Sequence, residues 1–150
     1  MTAAIATGAS VAISFEARRS IAGCAAAALP EESCGVLVGR DGQRAEIVAA
    51  WNIPNRTSED RTRRFALAPA DLYGQTVRAR DMGLDVIGFF HSHPTGEAQP
   101  SPSDIRDAGA WPGYLHAIYG CAPLNGAPCL RIYRTHMLGW HEVAPKGMSR

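Results

Sequence analysis

A continuous apolar run, Val86-Ile87-Gly88-Phe89-Phe90, ends directly in His91-Ser92-His93. Apolar residues without polar alternates describe a strand covered on both faces, so the run predicts the central strand of a sheet with other elements packed on each side. The flanking sequence supplies those covers. From Phe15 to Leu29 the chain is Ala-rich, with Phe15, Ile21, Ala22, Ala25 and Leu29 along one helical stripe, and Pro30 closes the helix. Pro69 and Asp71 open a second helix carrying Leu72, Tyr73, Thr76, Val77 and Arg80, with Gly83 as its stop.

Further strands surround the central one. Gly35-Val36-Leu37-Val38-Gly39 followed by Asp41-Gly42 reads as a buried strand entering a hairpin, with Glu46 to Ile53 as its partner. Phe65 to Ala68, Leu115 to Tyr119 and Leu130 to Arg134 are the other strand candidates. Asn55 to Arg64 holds Arg56, Arg61, Arg63 and Arg64 with Glu59 and Asp60, lacks apolar periodicity and reads as a loop. Ser101-Pro102-Ser103-Asp104 resembles a helix start, with serine at the cap and proline at the first helical position. At 150 residues and 46% apolar content the chain fills one core, so these elements predict one α/β (α+β) domain whose mixed central sheet is sandwiched by helices.

Charge and cysteine usage narrow the partners. Fifteen basic against 14 acidic residues give a formal net charge of +1, which leaves no field to attract phosphate backbones or anionic lipid. Nucleic acid and membrane are therefore not expected partners. No stretch of about 18 uncharged apolar residues is present, and Glu16, Arg18 and Arg19 stand where a signal peptide needs its apolar core, so a cytoplasmic protein is expected. Cys24, Cys34, Cys121 and Cys129 form no CxxC pair, and four reduced thiols are expected rather than disulfides or a structural zinc site.

Chemistry concentrates where the central strand ends. Side chains two apart on a strand share a face, so His91 and His93 can present two imidazoles to one ion while Ser92 points away. Asp104, in the first turn of the following helix, is available as a third ligand. Two imidazoles and a carboxylate suit zinc better than magnesium or calcium, and an open fourth position for water is what marks a catalytic site. The spacing His91-x-His93-x7-Ser101-x2-Asp104 is expected by chance only roughly 4 × 10⁻⁴ times in a chain of this composition.

With that pattern the chain resembles the JAMM (MPN-plus, JAB1/MPN/PAD-type) zinc metallopeptidases. The likeness extends to Pro30–Gly39, Val86–Pro94 and Leu130–Arg134 in the family's order, and the compact chain looks most like the stand-alone bacterial branch. It lacks room for the insertions with which eukaryotic deubiquitinating members grip ubiquitin chains. The resemblance implies a single JAMM/MPN domain over residues 1–150, with a core at about 15–140, folded as a cytidine-deaminase-like three-layer sandwich. It also implies one zinc per chain, held by His91, His93 and Asp104. The family's upstream glutamate falls on Glu32, three residues before the strand-opening Gly35, as general base, and Ser101 becomes the oxyanion donor. The implied substrate is a ubiquitin-like sulfur-carrier protein ending in Gly-Gly, with hydrolysis of the peptide or isopeptide bond after that tail.

Each residue also has a plainer reading. Ser101-x-x-Asp104 is close to a capping box, and Ser101 can be only a helix cap. Glu31 reads as a surface acid beside Glu32, and Cys34 as a small buried hydrophobe with no basic neighbour to activate it. The Arg56 to Arg64 cluster reads as a solvated loop, although it could meet an acidic surface. Trp111, Tyr114 and Trp140 read as packing, and His116, His136 and His141 lack ligand spacing. A zinc nucleoside deaminase would need HxE and PCxxC segments, yet Pro128-Cys129 continues as Leu130-Arg131-Ile132. Two further alternatives are a metal-free MPN-type scaffold, which typically lacks ligands this chain keeps, and a phage-tail-type cell-wall peptidase, which is usually fused to a second hydrolase.

Overall fold

The apolar run at 86–90 becomes the middle of a strand at Asp85–His93, and the rest of the sheet is laid out around it. The computed structural model describes residues 10–122, 126–136 and 139–147. In chain order these form β1 (Ser10–Ile13), α1 (Phe15–Ala28), β2 (Cys34–Arg40), β3 (Arg44–Ile53), α2 (Pro69–Asp81) and β4 (Asp85–His93). There follow α3 (Pro102–Asp107) with a 3₁₀ turn at Ala108–Ala110, β5 (Leu115–Gly120), β6 (Cys129–His136), β7 (Gly139–Val143) and β8 (Pro145–Gly147). Eight strands make one mixed sheet in the order β7-β6-β5-β4-β2-β3-β1-β8. β2 pairs antiparallel with β3 and β4, whereas β4 and β5 run parallel and are joined through α3, as parallel neighbours need a crossover.

Helices cover both faces, which gives the expected three layers. Leu37 and Phe90 pack with Ala17 and Ile21 of α1, whereas Val36, Val38 and Phe89 pack with Ala79 of α2. Successive strand residues thus feed opposite cores. Ser14 caps α1: its Oγ accepts the Ala17 N–H at 3.0 Å and donates to the Val48 carbonyl at 2.8 Å. The buried stripe of α1 is Ala17-Ile21-Ala25, narrower than the sequence suggests: Phe15 is 76% and Leu29 51% exposed. Steps of four keep a residue on one face; Phe15 lies off that series, and Leu29, though in step, is the C-cap, where the backbone has already left the helix at φ −47°, ψ 135°. α2 has Pro69 in its first turn, and Gly83, at φ +72°, ends it by donating its N–H to the Arg80 carbonyl at 2.9 Å. No helix among the described residues is long and apolar enough to cross a membrane.

One expected strand is absent. Phe65–Ala68 runs as irregular chain. Its backbone is satisfied locally instead: Arg56 N–H donates to the Ala66 carbonyl at 2.9 Å, and Ala66 N–H to Asn55 Oδ1 at 3.1 Å.

Gly35 marks where β2 and β4 must come close. A Cβ there would collide with the Trp51 carbonyl and the ring of Phe90, and Phe90 is wholly buried. Gly35→Ala should therefore destabilise the fold by about 1–3 kcal/mol, read as a lower thermal midpoint. An unchanged midpoint would contradict the close approach.

Candidate metal centre

Phe89, His91 and His93 alternate along β4 onto the face that α2 covers, and the last two reach the strand's carboxyl end. Beyond His93 the chain returns because it is pinned. Cys121 N–H donates to the His93 carbonyl at 3.0 Å, Tyr133 Oη donates to the Ala98 carbonyl at 2.6 Å, and Ala98 is buried against Ile118 and Tyr133. The returning loop delivers α3, and with it Asp104, to the two imidazoles.

Three atoms converge there. His91 Nε2 lies 3.0 Å from His93 Nε2 and 3.1 Å from Asp104 Oδ2, and His93 Nε2 lies 3.2 Å from the same oxygen. Ligands about 2.0–2.1 Å from a tetrahedral zinc stand about 3.3 Å apart, so the triangle is within a few tenths of an ångström of that geometry. Proton counting points the same way. His93 Nδ1 lies 2.7 Å from the Glu97 carbonyl; donating its N–H there leaves Nε2 of the neutral ring a bare lone pair aimed at a carboxylate oxygen. His91 Nδ1 is buried with no partner, so its single proton cannot satisfy all three contacts. Facing lone pairs need a proton or a metal ion between them, and two imidazoles with a carboxylate are a donor set that suits zinc.

The protonation equilibria show how strongly these groups interact with one another. Burial opposes charge on His93, but Asp104, the Glu97 carbonyl and Glu32 together raise its pKa. Burial would likewise raise Asp104, yet the hydrogen bonds from His91 and His93 and the Ser101 N–H hold its carboxyl far below the ordinary range.

Asp104 and Ser101 each do two things. Asp104 Oδ2 accepts the Ser101 N–H at 2.8 Å while facing the imidazoles, and Ser101 Oγ accepts the Asp104 N–H at 3.2 Å, a complete capping box. The capping box and a ligand position are thus compatible, because one carboxylate oxygen has more than one lone pair. Ser101 Oγ also lies 3.0 Å from Ser103 Oγ. The cap uses an Oγ lone pair and leaves the hydroxyl proton available.

Glu32 arrives from the neighbouring strand. Cys34 pairs with His91 in the antiparallel register, and Ser33 and Ser92 clasp one another: Ser92 N–H donates to the Ser33 carbonyl at 3.1 Å and Ser33 N–H to Ser92 Oγ at 2.9 Å. One further step sets Glu32 beside His93 on the same face. It is 6% exposed. Burial pushes its carboxyl up to about 7, with Asp104 raising it further and His93 and Arg64 pulling it back. Glu31, next door, stays partly exposed. Cys34 donates its thiol to the Ile53 carbonyl at 3.4 Å, and burial, then Glu32, push its pKa to about 12, so it is a buried thiol rather than a nucleophile.

Sequence reasoning missed two partners of this group. Phe65 stacks on His91 with ring centroids 4.5 Å apart. His116, 6% exposed, lies under the site with its ring 5.5 Å from Phe89 and 4.5 Å from Trp140, and burial followed by the nearby His91 lowers its pKa to about 3. Phe65, Tyr73, Phe89, Trp111 and Trp140 line a cleft of about 570 Å³ that also touches His91 and Asp104. The two tryptophans thus pack and at the same time wall the approach to the centre. Only the alternation of β5 hinted at His116 in the sequence.

Residues 15–133 match the family described as prokaryotic homologs of the JAB domain. The chain is 36% identical over 94 residues to the desampylase of Haloferax volcanii, covering 63% of this chain and 64% of that protein. It is 34% identical over 79 residues to a probable TtuB-protein conjugate cleaving protease of Thermus thermophilus, covering 53% and 50%. The matches span about half to just under two thirds of the length of these curated relatives. The solution structure of a Desulfitobacterium hafniense protein is similar with a TM-score of 0.81 at 25% identity, over 93% of this chain and 94% of the other.

Proposed function

From the premise that the chain belongs to the prokaryotic JAB-domain branch of the JAMM/MPN family, we propose that it is a cytoplasmic zinc-dependent hydrolase. It cleaves the peptide or isopeptide bond that follows the C-terminal Gly-Gly of a ubiquitin-like sulfur-carrier protein, and residues 1–150 act as one JAMM/MPN domain. The observation that carries this reading is the convergence of His91, His93 and Asp104 beside the buried Glu32. The substrate class is supported by the relatives, whose names describe a desampylase and a protease that cleaves TtuB-protein conjugates.

His91, His93 and Asp104 would hold one zinc. Bound there, it supplies Lewis-acid polarisation of the scissile carbonyl and acidification of the attacking water. Glu32, with a pKa of about 7, is poised to take that water's proton near neutrality and to return it to the leaving amine. Ser101 Oγ–H, not consumed by the cap, donates to the oxygen on which negative charge develops. The Glu97 carbonyl and the Ser101 N–H keep His93 and Asp104 oriented. A tail of two glycines suits this arrangement, since residues without side chains pass closest to the metal.

The test is to incubate zinc-loaded protein with a panel of Gly-Gly-tailed carrier proteins extended at the C-terminus and to measure intact masses, alongside elemental analysis. One zinc per chain and release of the extension directly after the second glycine are expected. Protein that takes up no zinc on reconstitution, or cleavage that persists after chelation, would refute the metal-dependent mechanism. Failure to cut any carrier would refute the substrate class.

A further inference from the structure

Resting on Glu32 as general base, we infer that Asn55 is the positioning residue that fixes it, by locking the Arg-rich loop 55–66 around its backbone. Glu32 precedes the first residue of β2, so no ladder bond of the sheet holds it. The loop holds it instead. Its N–H donates to the Arg61 carbonyl at 2.8 Å, and its carbonyl accepts Asn55 Nδ2 at 3.2 Å.

Asn55 uses every hydrogen bond its amide can make. Nδ2 also donates to the Arg64 carbonyl at 2.9 Å, while Oδ1 accepts the N–H of Thr57 at 3.2 Å and of Ala66 at 3.1 Å. One side chain therefore ties both ends of the loop to the residue that moves the proton. The same loop carries Phe65 onto His91, so its closure sets the base and backs a metal ligand together. The arginines contribute through their backbone and to neighbouring acids: Arg61 through its carbonyl, Arg56 by pairing with Asp71 at 3.0 Å, and Arg64 with Glu59 at 3.6 Å. Asn55 touches no reacting atom. Its effect on catalysis passes through Glu32, and misplacing a catalytic group by about 1 Å can cost about a hundredfold in rate.

Two variants and two readouts test this on the full zinc-loaded chain. Asn55→Ala removes the whole hub; Asn55→Asp keeps the acceptor for Thr57 and Ala66 and loses the donor to Glu32. Amide hydrogen exchange at Glu32 should quicken by about tenfold or more in both variants, with Val36 and Val38 of β2 changing less than about twofold. On a cleavable carrier, kcat should fall about ten- to a hundredfold with KM and zinc content nearly unchanged. Introduced into Glu32→Gln, the same substitutions should slow turnover by less than about twofold more, because the group they position is already gone.

Unchanged exchange at Glu32, or equal quickening at Val36 and Val38, would overturn the inference, and so would an Asn55 effect of full size in the Glu32→Gln background. If Asn55→Ala does not fold, Asn55→Asp carries the same readouts. Native turnover by Glu32→Gln alone would remove the base and this inference with it. A slow Glu32→Gln with additive Asn55 effects would remove only the inference.

Discussion

Replacing Glu32 with glutamine should leave the fold and one zinc per chain intact while slowing hydrolysis by at least about two orders of magnitude, the scale of a lost general base. The substitution is nearly isosteric and keeps the backbone bonds to Arg61 and Asn55, so what it removes is the ionisable oxygen. Stability gives an independent check on the metal-free protein. Burial raises the Glu32 carboxyl from 4.5 to about 7, so the folded state holds a proton that the unfolded chain releases. The sign follows: stability is fully present below about 4.5 and is lost as the pH rises through about 7. Glutamine cannot ionise, so Glu32→Gln should melt above the parent at pH 8, and the difference should close in acid. Near-native turnover would take Glu32 out of the mechanism. A loss of the same size in Glu31→Gln would transfer the role to its neighbour.

The pattern of what the sequence foretold follows how local each signal is. The 86–90 run, the Asp41-Gly42 hairpin and the Pro69 to Gly83 helix are written in adjacent residues, and each lies where its spacing predicts. β1, β7 and β8 are short, with four, five and three residues, and mix polar with apolar side chains. For β1 and β8 the pairing is also distant in the chain: β1 lies between β3 and β8, and its partner Pro145–Gly147 comes more than a hundred residues later in the sequence. No periodicity over so few residues announces them. Phe65–Ala68 has the composition of a strand, but Asn55 and Arg56 meet the hydrogen-bonding groups of Ala66. The same division runs through the site. His91 and His93 follow from a period of two on an apolar strand, Asp104 from the helix start at Ser101-Pro102, and Glu32 from the likeness to a known family. The Cys34 to His91 register, the burial of His116 and the Asn55 hub arise only when separate segments meet.

Ser101→Ala should cost two things at once, because the hydroxyl caps α3 and, in the proposed mechanism, is also the oxyanion donor. Loss of the cap removes about 0.5–2 kcal/mol of helix stability, and it frees the Asp104 backbone N–H that Oγ now accepts. Loss of an oxyanion donor raises the barrier by about 2.7–4 kcal/mol, a hundred- to a thousandfold in turnover. Stability and rate would therefore fall together, and the alanine variant alone cannot separate the causes. Ser101→Asp separates them. Aspartate is a good cap, so the thermal midpoint should stay near native, but it carries no proton to donate and its charge repels an oxygen that is becoming negative. Turnover should drop as far as in the alanine variant. A new carboxylate beside Asp104 Oδ2 could also draw the metal, so zinc content has to be measured on the same preparation. Ser101→Thr completes the set: it restores both the lone pair for the cap and the proton, and should recover turnover to within about tenfold. If Ser101→Asp retains one zinc and cleaves a carrier tail at the native rate, the Ser101 hydroxyl acts only on the helix, and the developing charge is met by the metal and by other donors.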